Sequence, residues 1–216
     1  MHAAGALLVH TVSTAEEARR VVDAGVDVVV AQGWEAGGHV RGTIATLPLV
    51  PAVVDAVAPV PVVAAGGIGD ARGVAAVIAL GAAGAWLGTR FLLADELPLH
   101  DVYRQAVLQA NETDAEWFAD LFDVGWPNAP HRALRNSTSE AWKAAGRPAS
   151  GKRPGEGETV AIGPAGEPIV RYETTTAVAC VTGQIEPLPL WVGQSVALAR
   201  RVEPAAEIIA ELVSRL

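Results

Sequence analysis

The chain has 216 residues, 16 Lys and Arg against 24 Asp and Glu, and a formal charge of −8. That balance argues against a surface built to neutralise nucleic-acid phosphates, which demands clustered Lys and Arg, so no nucleic-acid partner is expected. Half of the residues are apolar and few are aromatic, a composition that suits Val/Ala/Leu packing of helices on a sheet, in one large domain or one domain with an appendage.

Four short apolar runs, residues 6–10, 26–31, 60–65 and 83–87, are expected to be strands, each followed by a loop and a helical pattern. The alternation predicts an α/β fold with a parallel sheet and right-handed crossovers. After the first run, Ser13-Thr-Ala-Glu16 has the spacing of a capping box and opens a helix to Ala24, which Gly25 stops. The second run, Val26 to Ala31, is β-branched and bounded by Gly25 and Gly33, as expected of a strand buried on both faces. Residues 47–57 read as a helix covering the sheet. The most apolar window, 50–65, contains Pro51, Asp55, Pro59 and Pro61 and is too short for the roughly 20 apolar residues of a membrane span. Asp70 caps an expected helix over 71–80, ended by Gly81.

Beyond Leu97 the pattern changes. Residues 100–110 are helical by period, 115–122 are expected to continue helically, and Trp126-Pro-Asn-Ala-Pro130 and 146–157 have loop chemistry. Asn136-Ser-Thr matches a glycosylation acceptor, which means little without secretion. The N-terminus lacks the cationic leader and full apolar core of a signal peptide. Cys180 is alone, so an intramolecular disulfide and a cysteine metal cluster are excluded, the thiol reads as a small buried side chain, and a cytoplasmic setting is the default. Residues 203–216 read as a terminal amphipathic helix with Ala206, Ile209, Ala210 and Val213 on its recurring face.

The chemistry concentrates in three loops at strand ends, where α/β folds carry their sites. The first, Ala31 to Gly42, places His39 in a glycine-rich loop directly after the second strand. An imidazole titrates near neutrality and can take and return a proton at little cost. The second, Ala64-Ala-Gly-Gly-Ile-Gly-Asp70, follows a strand and opens a helix, so its amides and the helix dipole form an anion site. It lacks the third glycine and the acidic residue of a dinucleotide fingerprint. The third, Leu87-Gly-Thr-Arg90, supplies further amides and a hydroxyl. The pair of glycine loops, about one βα unit apart, matches the phosphate site that (β/α)8 barrels build after their last two strands.

Gln32-Gly-Trp-Glu-Ala-Gly-Gly-His39, Ala65-Gly-Gly-Ile-Gly-Asp-Ala-Arg-Gly73 and Trp86-Leu-Gly-Thr-Arg-Phe91 together resemble the nitronate monooxygenase family of FMN-dependent (β/α)8 TIM barrels. The resemblance is specific over residues 3–97 and weaker over the remainder. It implies FMN as cofactor, a nitronate or nitroalkane with molecular oxygen as substrates, and His39 as the general base that removes the proton α to the nitro group. Gln32, Gly37 and Gly38 would line the flavin, Ala65, Gly66, Gly67, Trp86, Leu87, Gly88 and Thr89 would form the phosphate end and walls, and Thr11 would contact the flavin from the first strand. Only the second half of the family's eight strands is recognisable, so the resemblance implies an N-terminally truncated partial barrel over 1–97 carrying a mostly helical, loop-rich extension over 98–216, with Met1 either an internal methionine or the start of a shortened chain. Such a half-barrel exposes sheet edges and an apolar face that invite a homodimer.

Each feature also has a plainer reading. His39 alone would be a hydrogen-bonded structural histidine; its neighbours reverse that. Glu35 reads as a loop salt-bridge residue or an orienter of the loop, with the structural role preferred, Gly66 and Gly67 as turn glycines or cradle, and Arg90 as either a phosphate ligand or a solvent-side partner of Asp95 or Glu96. His10, His100 and His131 read as structural. The six tryptophans read as packing anchors, with Trp34 and Trp86 flanking the site. Two further functions stay open: an enoyl-thioester reductase of the same flavin class, and a non-catalytic half-barrel.

Overall fold

The computed structural model describes residues 2–216. Its elements in chain order are β1 (Val9–Val12), α1 (Ala15–Asp23), β2 (Val28–Gln32), β3 (Gly38–His39), α2 (Thr46–Val57), β4 (Val62–Ala65), α3 (Ala71–Ala79), β5 (Gly84–Trp86), α4 (Asp101–Gln109), β6 (Ala115–Phe118), β7 (His131–Leu134), α5 (Ser137–Ala144), β8 (Thr159–Ile162), β9 (Pro168–Val170), β10 (Thr182–Gly183) and α6 (Ala205–Leu212).

The four expected runs form one parallel sheet in the order β1-β2-β4-β5. Val29, Val30 and Ala31 are buried, as a strand sandwiched between neighbours requires. Leu49, Val53, Val74 and Val77 of α2 and α3 pack with Val29, Val62 and Ala64, each buried aliphatic side chain worth ~1.5–3 kcal/mol. Register places Gln32 beside Ala65 and Ala65 beside Trp86, so the carboxyl ends of three strands present their loops along one line. The outer strands keep exposed apolar side chains: Val9 on β1 and Trp86 on β5. No described helix is long and apolar enough to cross a membrane.

Local rules set the element ends. Gly25 and Gly81 take φ of 93° and 94°, the left-handed stops that glycine alone adopts without strain. The cap of α1 lies one residue later than expected. Thr14 accepts the Glu17 amide, while the Ser13 amide and hydroxyl donate to the Glu17 carboxylate at 2.7 and 2.8 Å. Asp70 caps α3 as expected, accepting from the amides of Arg72 and Gly73.

The second half departs from a helical extension. Residues 115–118 form a strand, not a continued helix, in an antiparallel sheet ordered β3-β7-β6; β10-β8-β9 make a third sheet. Ala-Glu-Trp-Phe is stabilised there by pairing with β7, whose four residues are all buried. The terminal helix is shorter than expected and turned the other way. Ile208 and Leu212 are buried in the same cluster as Val74 and Val77, whereas Ile209 and Val213 are about half exposed. Cys180, expected to be buried, is exposed.

Candidate functional site

A cleft of about 500 Å³ opens at the carboxyl ends of β2, β4 and β5, a size typical of small-molecule sites. It is lined by Gln32, Gly37, Gly38, His39, Ala65, Gly66, Gly67, Trp86, Leu87, Gly88 and Thr89. Of the residues named as base or flavin contacts in the sequence, all line this cleft except Thr11. That side chain belongs to a second cleft of about 650 Å³ with Ser13, Glu17, Arg20 and Arg41, which shares only Gln32 and His39 with the first.

The loop carrying His39 is pinned residue by residue. The Glu35 carboxylate accepts from the Thr46 amide at 2.9 Å and from its hydroxyl at 2.9 Å, so it caps α2, whose own Ala45 offers no side-chain cap. Of the two readings open for Glu35, the structure shows no salt bridge among the described residues and instead a carboxylate that ties its loop to α2, with the helix dipole favouring the charge. The Glu35 carbonyl accepts the Gln194 amide at 2.9 Å. A Cβ on Gly37 would meet backbone atoms of Val192 and Gly193 at 2.3 and 2.4 Å, which explains glycine there. Gly38 has φ 65° and leads into β3, where His39 pairs with His131.

The imidazole of His39 lies between indoles, 4.3 Å from Trp126 and 5.7 Å from Trp191 by ring centroids. Its Nε2 is buried with no hydrogen-bond partner among the described residues. Burial, and then the nearby Arg41 charge, hold its pKa below the ordinary imidazole range. The ring is thus kept neutral, with a nitrogen free to accept. His131, 6.1 Å away, is occupied at both nitrogens. Nδ1 lies 3.0 Å from the Ala129 carbonyl and Nε2 accepts the Phe122 amide at 3.1 Å, which assigns a neutral ring protonated at Nδ1. That matches its structural reading, as does His100, whose Nδ1 caps α4.

At the other end of the cleft, Gly66 and Gly67 take φ of 98° and 72°, and the Gly67 and Ile68 amides donate to no group among the described residues. A Cβ on Gly88 would meet nothing within 4 Å, so the space beside it belongs to the cleft. The Thr89 hydroxyl accepts the Gly193 amide at 2.9 Å and keeps its own proton to donate. These groups fit an anion. The dipole of α3 does not contribute as expected, because the Asp70 carboxylate already occupies that helix end. Arg90 is neither a phosphate ligand nor a partner of Asp95 or Glu96: it is buried and paired with Glu203 and Glu211.

Sequence reasoning missed every cleft residue from the second half: Trp126, Thr174, Thr176, Trp191, Gly193 and Ser195. Trp126 sits in the Pro-rich loop recognised as irregular, and an aromatic residue there was the available signal; Trp34 instead packs on Trp117 at 5.1 Å, outside the cleft lining.

The profile of the Nitronate monooxygenase family matches residues 1–215. A Mycobacterium tuberculosis protein provisionally named a monooxygenase is 46% identical over 129 residues, 60% of this chain and 33% of the relative. Among solved structures, FabK from Thermotoga maritima superposes with a TM-score of 0.73 at 30% identity, covering 97% of this chain and 60% of that one. Nitroalkane oxidase from Streptomyces ansochromogenes gives a TM-score of 0.73 at 32% identity, covering 100% of this chain and 59% of that one. The stretches matched in the first curated relatives span 33% to 39% of those relatives' own length.

Proposed function

The chain belongs to the nitronate monooxygenase family, and from that premise we propose that its cleft binds FMN and that His39 is the general base in the oxidation of alkyl nitronates and nitroalkanes by molecular oxygen. The observation that carries the proposal is the His39 imidazole, lining the cleft beside the indoles of Trp126 and Trp191 with a ring nitrogen bonded to no described residue, in a cleft that ends in free glycine-loop amides. Those amides, at Gly67 and Ile68, with Gly88 and Thr89, would hold the phosphate, while Gln32, Trp86 and Leu87 would wall the ring system. When bound, the flavin supplies the electron transfer and oxygen chemistry that no side chain can perform.

The protein's part is the proton. A neutral His39, whose ring lines the cleft, accepts it from the carbon bearing the nitro group. The imidazolium so formed is buried near Arg41 and gives the proton up readily, which suits a base that must turn over. Trp126 and Trp191 shield the ring from water, and the Gln32 amide donates to the His39 carbonyl at 3.1 Å, steadying the residue.

The test is oxygen uptake by FMN-loaded protein with nitroethane and with preformed ethyl nitronate, which has already lost the proton. His39→Asn is expected to lower nitroethane turnover by ~10²–10⁴-fold and to leave nitronate turnover close to the parent. Undiminished nitroethane turnover would remove His39 from the role. Flavin reduction by NADH without nitronate-dependent oxygen uptake would favour the reductase instead.

A further inference from the structure

We infer that Arg132 is the positioning residue of the His39 loop: its guanidinium, bonded to the carbonyls of Trp34 and Ala36, sets where Gly37, Gly38 and His39 enter the cleft. Nη1 donates to the Ala36 carbonyl at 3.0 Å and to the Trp34 carbonyl at closer range. The same residue pairs through its backbone with Gly38. One residue of β7 therefore grips both ends of the segment 34–38.

The side chain is 1% exposed, and no carboxylate lies within ion-pair distance of it among the described residues. Its Nε is buried without a partner. Glu35, the acid whose charge acts on it, spends its carboxylate on Thr46. A buried cation so poorly compensated is a poor choice for packing alone, since an apolar side chain of similar volume is often neutral or stabilising in its place. What the guanidinium adds is a planar cation whose Nη1 alone bridges two carbonyls two residues apart while its plane lies over an indole. Trp34 provides that indole, its ring 4.9 Å from the guanidinium carbon. The segment is closed further along by Trp117, which donates to the Val40 carbonyl at 3.4 Å.

The experiment compares Arg132→Lys, Arg132→Met and the remote core variant Ile208→Ala, in the full chain loaded with FMN. Readouts are the NMR titration of His39, amide exchange across residues 34–40, and turnover of nitroethane. Both Arg132 variants are expected to speed exchange across the loop at least ~10-fold and to move the His39 midpoint upward, as the ring loosens from the indoles. The catalytic constant should fall by ~10²-fold with KM within a few-fold, the loss typical of a misplaced group, and Lys should retain more than Met. Ile208→Ala should lower stability and move none of these. Wild-type titration and exchange in an Arg132 variant, or the same shifts in Ile208→Ala, would overturn the inference. Only the turnover readout rests on the proposed activity. If the wild type turns over nothing, that activity fails while titration and exchange still decide the role of Arg132, and Arg132→Lys decides alone where Arg132→Met does not fold.

Discussion

The imidazole of His39 and the indole of Trp126 stack with centroids 4.3 Å apart and planes inclined by 37°. Trp126 is itself about half exposed, so it forms the outer wall between His39 and water. Its loop is held by the Val124 amide on the Tyr172 carbonyl and the bridge from Val124 to Glu173, well away from the cleft floor. Trp126→Ala should therefore leave the fold intact and restore hydration to the imidazole. Since burial is the main cause of the lowered pKa, the His39 midpoint should rise toward ~6.5, and the acid limb of the turnover profile should move to higher pH with it. An unmoved midpoint would place the desolvation in Trp191 instead.

Stability should fall with acid before the carboxylates titrate. His39 and His131 both have pKa values lowered chiefly by burial. At pH values well above about 6.5 both are neutral in the folded and unfolded chains and contribute no pH dependence. As pH falls through that point, the unfolded chain takes up protons that the folded one refuses, so stability is lost until the lower folded values are reached. The slope is at most ~1.4 kcal/mol per pH unit for each ring. His131→Asn offers one donor and one acceptor in similar places without a titration. Urea unfolding between about pH 7.5 and 5.5 should show a shallower slope in that variant, and an unchanged slope would assign the effect to other groups.

How legible this site was in the sequence follows from the range of the interactions that build it. Val28–Gln32 and Val62–Ala65 are β-branched or small runs ending in glycine loops, and their chemistry is local; the loops were legible from the residues alone, and the motif resemblance they carry supplied the cleft residues named between Gln32 and Thr89. Arg132 and Trp126 could not be found that way. They reach His39 through β3, a two-residue Gly-His strand with no periodicity to announce it, paired with residues about ninety positions away. The terminal helix failed for a different reason. Ala205, Ile208 and Leu212 and the set Ala206, Ile209, Ala210 and Val213 are both helically spaced, and only the surface offered by α3 selects the first. Ala115–Phe118 similarly has no alternation of its own, and pairing with β7 decides its conformation.

Adjacent glycines in the His39 loop should differ sharply when substituted. Gly37→Ala drives a Cβ to 2.3 Å from the Val192 carbonyl carbon, and backbone cannot swing aside as a side chain can. Gly38→Ala meets nothing within 4 Å and suffers only from its φ of 65°, about 1–2 kcal/mol. Chemical denaturation should find Gly37→Ala at or above the top of the ~1–3 kcal/mol range for overpacking. It should also weaken FMN retention, because the loop must lift from residues 192–193, whereas Gly38→Ala keeps that docking. Equal costs would mean that the loop floats free of Gly193.

Arg90 follows the Gly88-Thr89 loop in sequence, yet its guanidinium points the other way, into a buried pair with Glu203 and a bond of 3.2 Å to the Arg201 carbonyl. Glu203 in turn donates its amide to Leu93 and accepts that of Asp95, so the pair fastens the segment before α6 to the turn after β5. Glu203→Gln would leave the guanidinium buried without its main counter-ion, a loss of about 3–5 kcal/mol. The double variant Arg90→Met/Glu203→Leu removes both charges and should recover most of it, since apolar replacement of a buried pair is often neutral or better. FMN affinity should stay within a few-fold of wild type in the double variant. A large loss of FMN affinity there, with stability retained, would instead make Arg90 a contributor to the anion end of the cleft through its charge.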